Sequence, residues 1–432
     1  MMSRQIGRRE LFRQAAFAGA SVWLCGRAVG ADAKSPNENL DIAVIGPGGQ
    51  GATNLKNVAG ENIVAICDVD DKRAGDAYER FPKAKKFYDY RRMFDRMESK
   101  IDAVVVSTPD HAHFHPAMMA IERGKHLYCE KPMAHALAEV RAMTEMAAKM
   151  KVATQLGAQR HAYPTMHRVV ELVQSGAIGP VRECHAWLAG DRGMPAMPTE
   201  FPPVPAHLKW DLWIGPAPMR PYSPGFAPYD WRFWWDFGTG DMGNWGCHIL
   251  DIPFWALGLR YPTKASASGP PVDARRTPKS MSIRYEFPAR GEQPPVTLHW
   301  SHTKKWPAVM AGHKMPRFGL GVVFVGDRGM LWCDFGKYKL LPEEKFADFQ
   351  PPAPTIPDSP GFYQEWILAC KGGKPATCNF DYSGPLAETT LLANVAYRAG
   401  GEFDWDAAKL DAPGRDDVRA LLRKTYRKGW EI

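Results

Sequence analysis

A chain of 432 residues is too long for one average domain and implies two or three. Its 45% hydrophobic and 24% charged residues provide for soluble, well-filled cores. The formal net charge of +8 does not mark a nucleic-acid binder: residues 1–31 hold five arginines and one glutamate, +4 of the total, and no basic stripe with interleaved aromatics follows.

Those first residues carry their own pattern. Arg8 and Arg9 precede Leu11 and Phe12, a modestly apolar stretch runs from Ala15 to Cys25, and Val29 and Ala31 occupy the −3 and −1 positions of an A-x-A-like cleavage site. A twin-arginine export signal over 1–31 is therefore expected, then a polar linker over 32–39 and a periplasmic or otherwise exported mature protein. A basic tail or an uncleaved anchor is the plainer alternative. The apolar run is about a dozen residues, short of the roughly 20 that span a bilayer, so no membrane segment is expected after cleavage. That export route carries folded proteins, so any nucleotide cofactor would be loaded beforehand. Cys25 belongs to the signal and seven cysteines are left, none in a C-x-x-C. A zinc or redox cluster is thus not expected. Cys67 and Cys129 lie in apolar runs where cysteine acts as a small hydrophobe. A Cys370–Cys378 disulfide is left open.

From Leu40 to about residue 160, strands and helices alternate. Strands are expected at Asp41–Ile45, Ile63–Cys67, Asp102–Ser107, His126–Cys129 and Val152–Leu156, with a helix over Leu137–Met150. This is the pattern of an α/β Rossmann domain with a parallel, helix-covered sheet. The first strand breaks into Gly46, Gly48, Gly49, Gln50 and Gly51, spaced G-x-G-x-x-G. Gly46 permits the turn, Gly48 lets backbone approach a pyrophosphate, and Gly51 lets the next helix pack on the sheet. Unpaired N–H groups at that helix start then face the phosphates. An ordinary βα turn shares the glycines, but the second strand ends in Asp68, 22 positions after Gly46, where an acid would bind the adenosine ribose. Asp68 favours NAD by repelling the 2′-phosphate of NADP. Asp70 is close enough to share the role, and Lys72 and Arg73 keep NADP as the lesser alternative. Thr108-Pro109-Asp110 and Glu130-Lys131-Pro132 end the third and fourth strands, where ligands of such sheets collect.

After a helix over Tyr163–Ser175 the pattern becomes strand-rich, at Val181–Trp187, Ser282–Phe287, Pro295–His302, Gly319–Val325 and Met330–Asp334. The expectation is a second α/β domain, 161–432, with a large, open, mostly antiparallel sheet and helices over Gly361–Cys370 and Gly384–Arg398. In WDFGTGDMGNWGCHILD, Asp241, Asn244, His248 and Asp251 fall at i, i+3, i+7 and i+10, one face of a helix. Pointed into an interdomain cleft they would offer four polar groups; a capped helix with a core histidine is the bland alternative. Alternation of His111, His113 and His115 hints at metal, but Pro116 starts a helix there and no metal is expected. Seven of fifteen tryptophans fall between Trp210 and Trp255. Trp234 and Trp235 are candidates for stacking on a sugar; a core or dimer interface is the alternative. Gln155, Gln159, Arg160 and His161, just past the last Rossmann strand, are further cleft candidates.

The fingerprint, STPDHAHFHPAMMAIERGKHLYCEKP and the strand-rich half, through the ending TYRKGWEI, resemble the Gfo/Idh/MocA oxidoreductase family over nearly all of Leu40–Ile432. The chain looks like that family's exported branch in sugar-degrading bacteria. The resemblance implies hydride transfer between NAD(P) and a carbon bearing hydroxyl, on a sugar, glycoside or cyclitol, and a homo-oligomer. Lys131 matches the family lysine at the nicotinamide, and Glu130 precedes it. His113 matches a position lining the cleft, and Asp110 the turn beside the cofactor, next to Thr108 and Pro109. His248 takes the family histidine position as general base, whereas Asn244 stands where the family has aspartate. Asp241, Asn244, Asp251, His113, Trp234, Trp235 and Arg160 are the expected substrate contacts. Two other readings stay open: redox-neutral hydrolysis, elimination or epimerisation with tightly bound NAD, and an exported sugar-binding protein without catalysis.

Overall fold

The computed structural model describes residues 38–303, 305–311 and 319–431. The export signal, with Arg8, Arg9 and Cys25, and most of the linker lie outside the described residues. The first sheet is all parallel: β1 (Asp41–Ile45), β2 (Asn62–Cys67), β3 (Lys85–Phe87), β4 (Ala103–Val106), β5 (His126–Cys129) and β6 (Thr154–Leu156), in the order β3-β2-β1-β4-β5-β6. Helices cover both faces, so central strands carry continuous apolar runs; all four residues of β4, Ala-Val-Val-Val, are buried. The expected strands and the helix Leu137–Met150 are present. Sequence reading missed β3: Lys85 and Lys86 are exposed at the sheet edge and only Phe87 turns inward.

The second sheet has eight strands: β7 (Val181–Leu188), β8 (Lys264–Ser268), β9 (Met281–Phe287), β10 (Val296–His302), β11 (Leu320–Gly326), β12 (Gly329–Cys333), β13 (Tyr338–Leu341) and β14 (Glu402–Asp404). Their order is β13-β12-β11-β7-β10-β9-β8-β14, and only β7 and β10 pair in parallel. Strict alternation of buried and half-buried residues along β10 gives the sheet one face toward the core. Against that face runs the helix Phe380–Ala399, which also packs on Leu137–Met150 and so joins the two domains. It starts four residues earlier than expected. Asn379 caps it, accepting from the N–H groups of Asp381 and Tyr382, and burial on nearly every side leaves no amphipathic stripe to mark its first turn. All seven described cysteines are free and buried, Cys370 and Cys378 among them. Among the described residues no helix is long and apolar enough to cross a membrane.

Two features of this arrangement shape the site. The carboxyl ends of β1, β2, β4 and β5 align Gly46, Asp68, Thr108–Asp110 and Glu130–Lys131 along one edge. Across that edge lies residues 205–239 of the second domain. It is tacked to the end of β2 by an antiparallel bridge between Asp70 and Leu208, with Lys209 N–H donating to Val69 O (2.8 Å) and Asp71 N–H to His207 O (3.0 Å).

Candidate active site

One cavity of about 410 Å³ runs along this edge. Gly46, Gly48, Gly49, Gln50, Asp68, Thr108, Pro109, Asp110, Glu130, Lys131 and Asn244 all line it, so most sequence-derived candidates meet in one place. At the near end the turn is built for backbone alone. Gly46 has φ +79°, and a Cβ there would sit 2.8 Å from the Ser107 carbonyl. Gly51 does not line the cavity; it packs beneath the turn, where a Cβ would overlap the Gly46 carbonyl oxygen. The following helix, Gln50–Asn57, has no side-chain cap and no acid in its first turn; Gly51 and Ala52 N–H already donate to the carbonyls of Gly48 (3.0 Å) and Gly49 (3.1 Å), so what this start offers an anion is the positive end of the helix.

Of the two acids after β2, Asp70 is already committed. It caps the helix Asp71–Arg80 through Lys72 N–H (2.9 Å) and Arg73 N–H (3.2 Å), and His207 Nδ1 lies 2.8 Å from its Oδ1. Asp68 accepts one bond from Asp70 N–H at 2.9 Å and otherwise faces the cavity, where burial pushes its carboxyl up to about 7. A buried carboxyl of this kind is stabilised as carboxylate by further donors, which two ribose hydroxyls would supply. The turn, the open helix start and this acid fit a dinucleotide.

At the far end, Lys131 follows β5 and its ammonium donates to Asn244 Oδ1 at 2.7 Å. Burial lowers its pKa, opposed by Glu130 and Asp110. Glu130 is itself buried and held by Asn54 Nδ2 (3.0 Å) and Gln159 Nε2 (2.7 Å); burial raises its pKa against the Lys131 charge and these donors. Asp110 reaches across the domains to Thr239, accepting from its N–H (3.1 Å) and hydroxyl (2.5 Å). Thr239 begins the helix Gly240–Ile249, which carries Asp241, Asn244 and His248. The His248 ring is buried, and burial with the nearby Lys131 and Arg160 charges holds its pKa well below the ordinary value. It is a neutral imidazole whose buried Nδ1 has no hydrogen-bond partner among the described residues, and unlike Asn244 on the same helix it is not among the residues that line the cavity. Trp245 packs beside it, with ring centroids 6.2 Å apart, and Arg160 lies over Trp245 (5.1 Å) and Phe335 (4.5 Å).

Several expectations need correction. Asp251 does not share the face of Asn244 and His248: the helix ends at Ile249 and another starts at Asp251, with Pro253 in its first turn, where a missing N–H is tolerated. The Asp251 carboxylate is buried against His161 Nδ1 (2.9 Å) and the Tyr382 hydroxyl (2.5 Å), which also removes His161 from the cleft. Asp241 is buried and ion-paired with Arg192, so it positions a guanidinium and is covered from substrate. His113 lies behind the loop, with Nε2 2.7 Å from Thr108 O, and touches neither cavity nor cofactor edge. His111 and His115 likewise sit on the carbonyls of Trp213 (2.9 Å) and Trp430 (2.7 Å), so the three histidines diverge. Trp234 and Trp235 are core residues whose indole N–H groups go to Gly225 O (2.9 Å) and Asp273 O (3.1 Å). Gln155 is buried and donates to Phe362 O. The structure does gather one metal-capable donor set, Glu183, His185 and His299, within 4.8 Å on β7 and β10; it lies outside the cavity lining.

Sequence reading missed Arg73, Leu208, Trp213, Arg232 and Trp430, all of which line the cavity, and Trp245 beside His248. Arg73, five residues beyond Asp68, was visible but was weighed only as a sign of NADP. The others lie 140 or more positions from the glycine turn, and only tertiary structure brings them there.

Comparison with known proteins agrees with this geometry. A family model described as an oxidoreductase family with an NAD-binding Rossmann fold matches residues 40–158, and the model of that family's C-terminal alpha/beta domain matches 185–286. An inositol 2-dehydrogenase of Rubrobacter xylanophilus is 32% identical over 152 residues, 34% of this chain and 43% of that protein. A levoglucosan dehydrogenase of Pseudarthrobacter phenanthrenivorans is 23% identical over 51% of this chain and 52% of its own length. These alignments span about half or less of the relatives. The WlbA dehydrogenase from Bordetella pertussis, solved with NADH and UDP-GlcNAcA, superposes with a TM-score of 0.62 at 14% identity, covering 85% of this chain and 99% of that one. A levoglucosan dehydrogenase complex with NADH gives 0.58 at 18%, with 85% and 99% covered. At such identities the likeness is one of fold.

Proposed function

The chain belongs to the Gfo/Idh/MocA oxidoreductase family, and from that premise we propose that it is an NAD-dependent oxidoreductase of a sugar, glycoside or cyclitol. One observation carries the reading: a single cavity joins the glycine turn and Asp68 to the desolvated Lys131 ammonium. Gly46–Gly51, the helix start after them and Asp68 would hold the dinucleotide; Asp68 favours NAD over NADP by charge. When bound, the nicotinamide takes up the hydride of a carbinol carbon. The chain's own residues handle the proton. His248, a neutral imidazole on the helix that brings Asn244 to the cavity, would accept the hydroxyl proton. Lys131, fixed by Asn244, stabilises the negative charge that grows on the oxygen. Asn244 cannot take a proton and serves to orient the lysine. Arg160 and Trp245, beside His248 though not in the cavity lining, would be the groups to meet substrate hydroxyls.

A second reading, redox-neutral chemistry with a retained dinucleotide, is favoured by the second-domain residues that wall the cavity. Incubation with a panel of sugars and cyclitols, followed for NADH absorbance and for product, separates the two. Net NADH supports the dehydrogenase, and product without NADH the cycle. Under either, His248→Ala and Lys131→Ala should lose roughly 10²–10⁴ in turnover while NAD still binds. Near-normal turnover of His248→Ala would overturn the assignment of the base.

A further inference from the structure

Residues 205–232 do more than roof the cavity: they bring a fixed positive charge to it. Arg232 is half-buried at the cavity wall, its guanidinium carbon 4.2 Å from the Trp231 ring centroid and 4.5 Å from that of Tyr229. Its backbone is fixed as well, since a Cβ on Gly238 would lie 2.5 Å from it. From the opposite wall Arg73 leans on the glycine turn; its Nη2 is 3.0 Å from where a Cβ of Gly49 would be, and its Nε 3.1 Å from that of Gly48. Neither guanidinium has a carboxylate within 4.0 Å among the described residues, whereas Arg192 and Arg220 each hold one. Burial lowers the pKa of Arg232, opposed by the charge of Asp110 in the same cavity, while the charges of Arg192 and Arg73 lower it further. Arg73 is exposed and Arg232 is half-buried, donating to the Tyr229 carbonyl at 3.1 Å, so both guanidinium groups reach the cavity with donors that no carboxylate holds and that an anion could take.

We propose that Arg73 and Arg232 form a cross-domain clamp on the pyrophosphate of the dinucleotide, which makes the nucleotide a resident group rather than an exchanging substrate. A pyrophosphate carries two negative charges, and Arg73 beside the glycine turn and Arg232 on the opposite wall would both hold it. Arginine is suited to such contacts because its planar fork makes paired, charge-assisted bonds. Beside the clamp the Leu208 bridge and the His207–Asp70 pair anchor the roof to the end of β2, and Leu208, Trp213 and Trp430 wall the cavity. Exit of the nucleotide then requires both arginines and the roof to let go. The inference rests on the dinucleotide reading above and adds the residues that retain it.

The test uses the full chain, purified without added nucleotide. Bound nucleotide is released by acid and quantified, and NADH dissociation is followed by loss of its fluorescence on dilution into excess NAD. Expected is nucleotide carried through gel filtration by the native protein, with dissociation on the scale of many minutes. Arg232→Ala and Arg73→Ala should each speed dissociation by about 10–100-fold, the worth of one charge-assisted contact, with Arg232→Lys in between. Tm of each nucleotide-free variant guards against misfolding, and the two variants change opposite walls. Unchanged dissociation in both alanine variants, or exchange within seconds in the native protein, overturns the clamp. If NAD(H) neither shifts the Tm of the native protein nor depends on Asp68, the dinucleotide reading itself has failed and the clamp with it.

Discussion

The glycine turn at 46–51 and the aromatic stretch at 205–239 wall the same cavity by opposite means. The turn presents backbone: its glycines omit the Cβ atoms that would strike Ser107 and Gly46, and the positive end of the next helix carries no side-chain cap. The aromatic stretch presents side chains, but first spends most of them on itself. Trp210 stacks on Trp213 at 4.6 Å, Trp213 meets Phe237 edge-on at 5.0 Å, and Phe226 meets Trp234 at 5.0 Å, forming a small separate core. Only part of it, with Trp213, Tyr229 and Arg232, reaches the cavity. A recognition surface made of backbone needs no scaffold of its own, whereas one made of large side chains needs a core behind it before any ring can face a ligand.

If that contrast is right, a large change in the aromatic stretch damages stability rather than recognition. Trp234→Ala should destabilise the protein by about 3–5 kcal/mol in denaturant titration while leaving KM for the carbohydrate within about twofold. A raised KM with unchanged stability would instead make Trp234 a sugar platform.

On the turn side, Asp68 is expected to govern recognition through its charge. Its folded pKa, near 7, lies above the ordinary 3.8, so ionising it costs stability: the nucleotide-free protein gains from this group as pH falls below 7 and loses as pH rises through 7. Nucleotide binding has the opposite sign, because the ribose bonds favour the carboxylate. NAD affinity, measured by titration calorimetry, should drop about tenfold per pH unit below 7 and become flat in Asp68→Asn. A flat native profile would take the ribose away from Asp68.

The smallest expected effect lies where both walls meet the chemistry. Asn244→Asp places a carboxylate against the Lys131 ammonium, 2.7 Å away in the native pair, and should raise the lysine pKa. The limb of the kcat/KM profile carried by Lys131 should move to higher pH. An unmoved profile would detach Lys131 from the pH dependence.

What was legible in the sequence follows the same division. Gly46, Gly48, Asp68, Glu130 and Lys131 could be placed because each is defined by its strand end and by spacing within one βα unit. Both domains were legible for a related reason: continuous apolar runs and strict alternation are properties of single strands. The face assigned to Asp251 failed because one helix was assumed from Asp241 to Asp251, whereas the first ends at Ile249 and a second starts at Asp251. Trp234 and Trp235 misled because burial in a core and exposure to a sugar demand the same residue type. His113 was placed at the cofactor by similarity, while its ring turns back on the Thr108 carbonyl. Arg232 had no local signal at all, since what distinguishes it is the lack of a carboxylate within 4.0 Å among the described residues, and that is visible only in three dimensions.

The contact of Trp430 with the cavity sets a timetable for the protein's synthesis. Residues 41–156 of the first sheet leave the ribosome long before residue 430, yet Trp430 helps to wall the cavity, its carbonyl held by His115 and its ring under Arg91 at 4.4 Å. The glycine turn can therefore form early, while the enclosed nucleotide site is complete only after nearly the whole chain has been translated and docked. Nucleotide held in that site would thereby report that translation had passed Trp430 and that the two domains had closed. A chain broken off before Trp430 would show the same fingerprint and lack part of the wall.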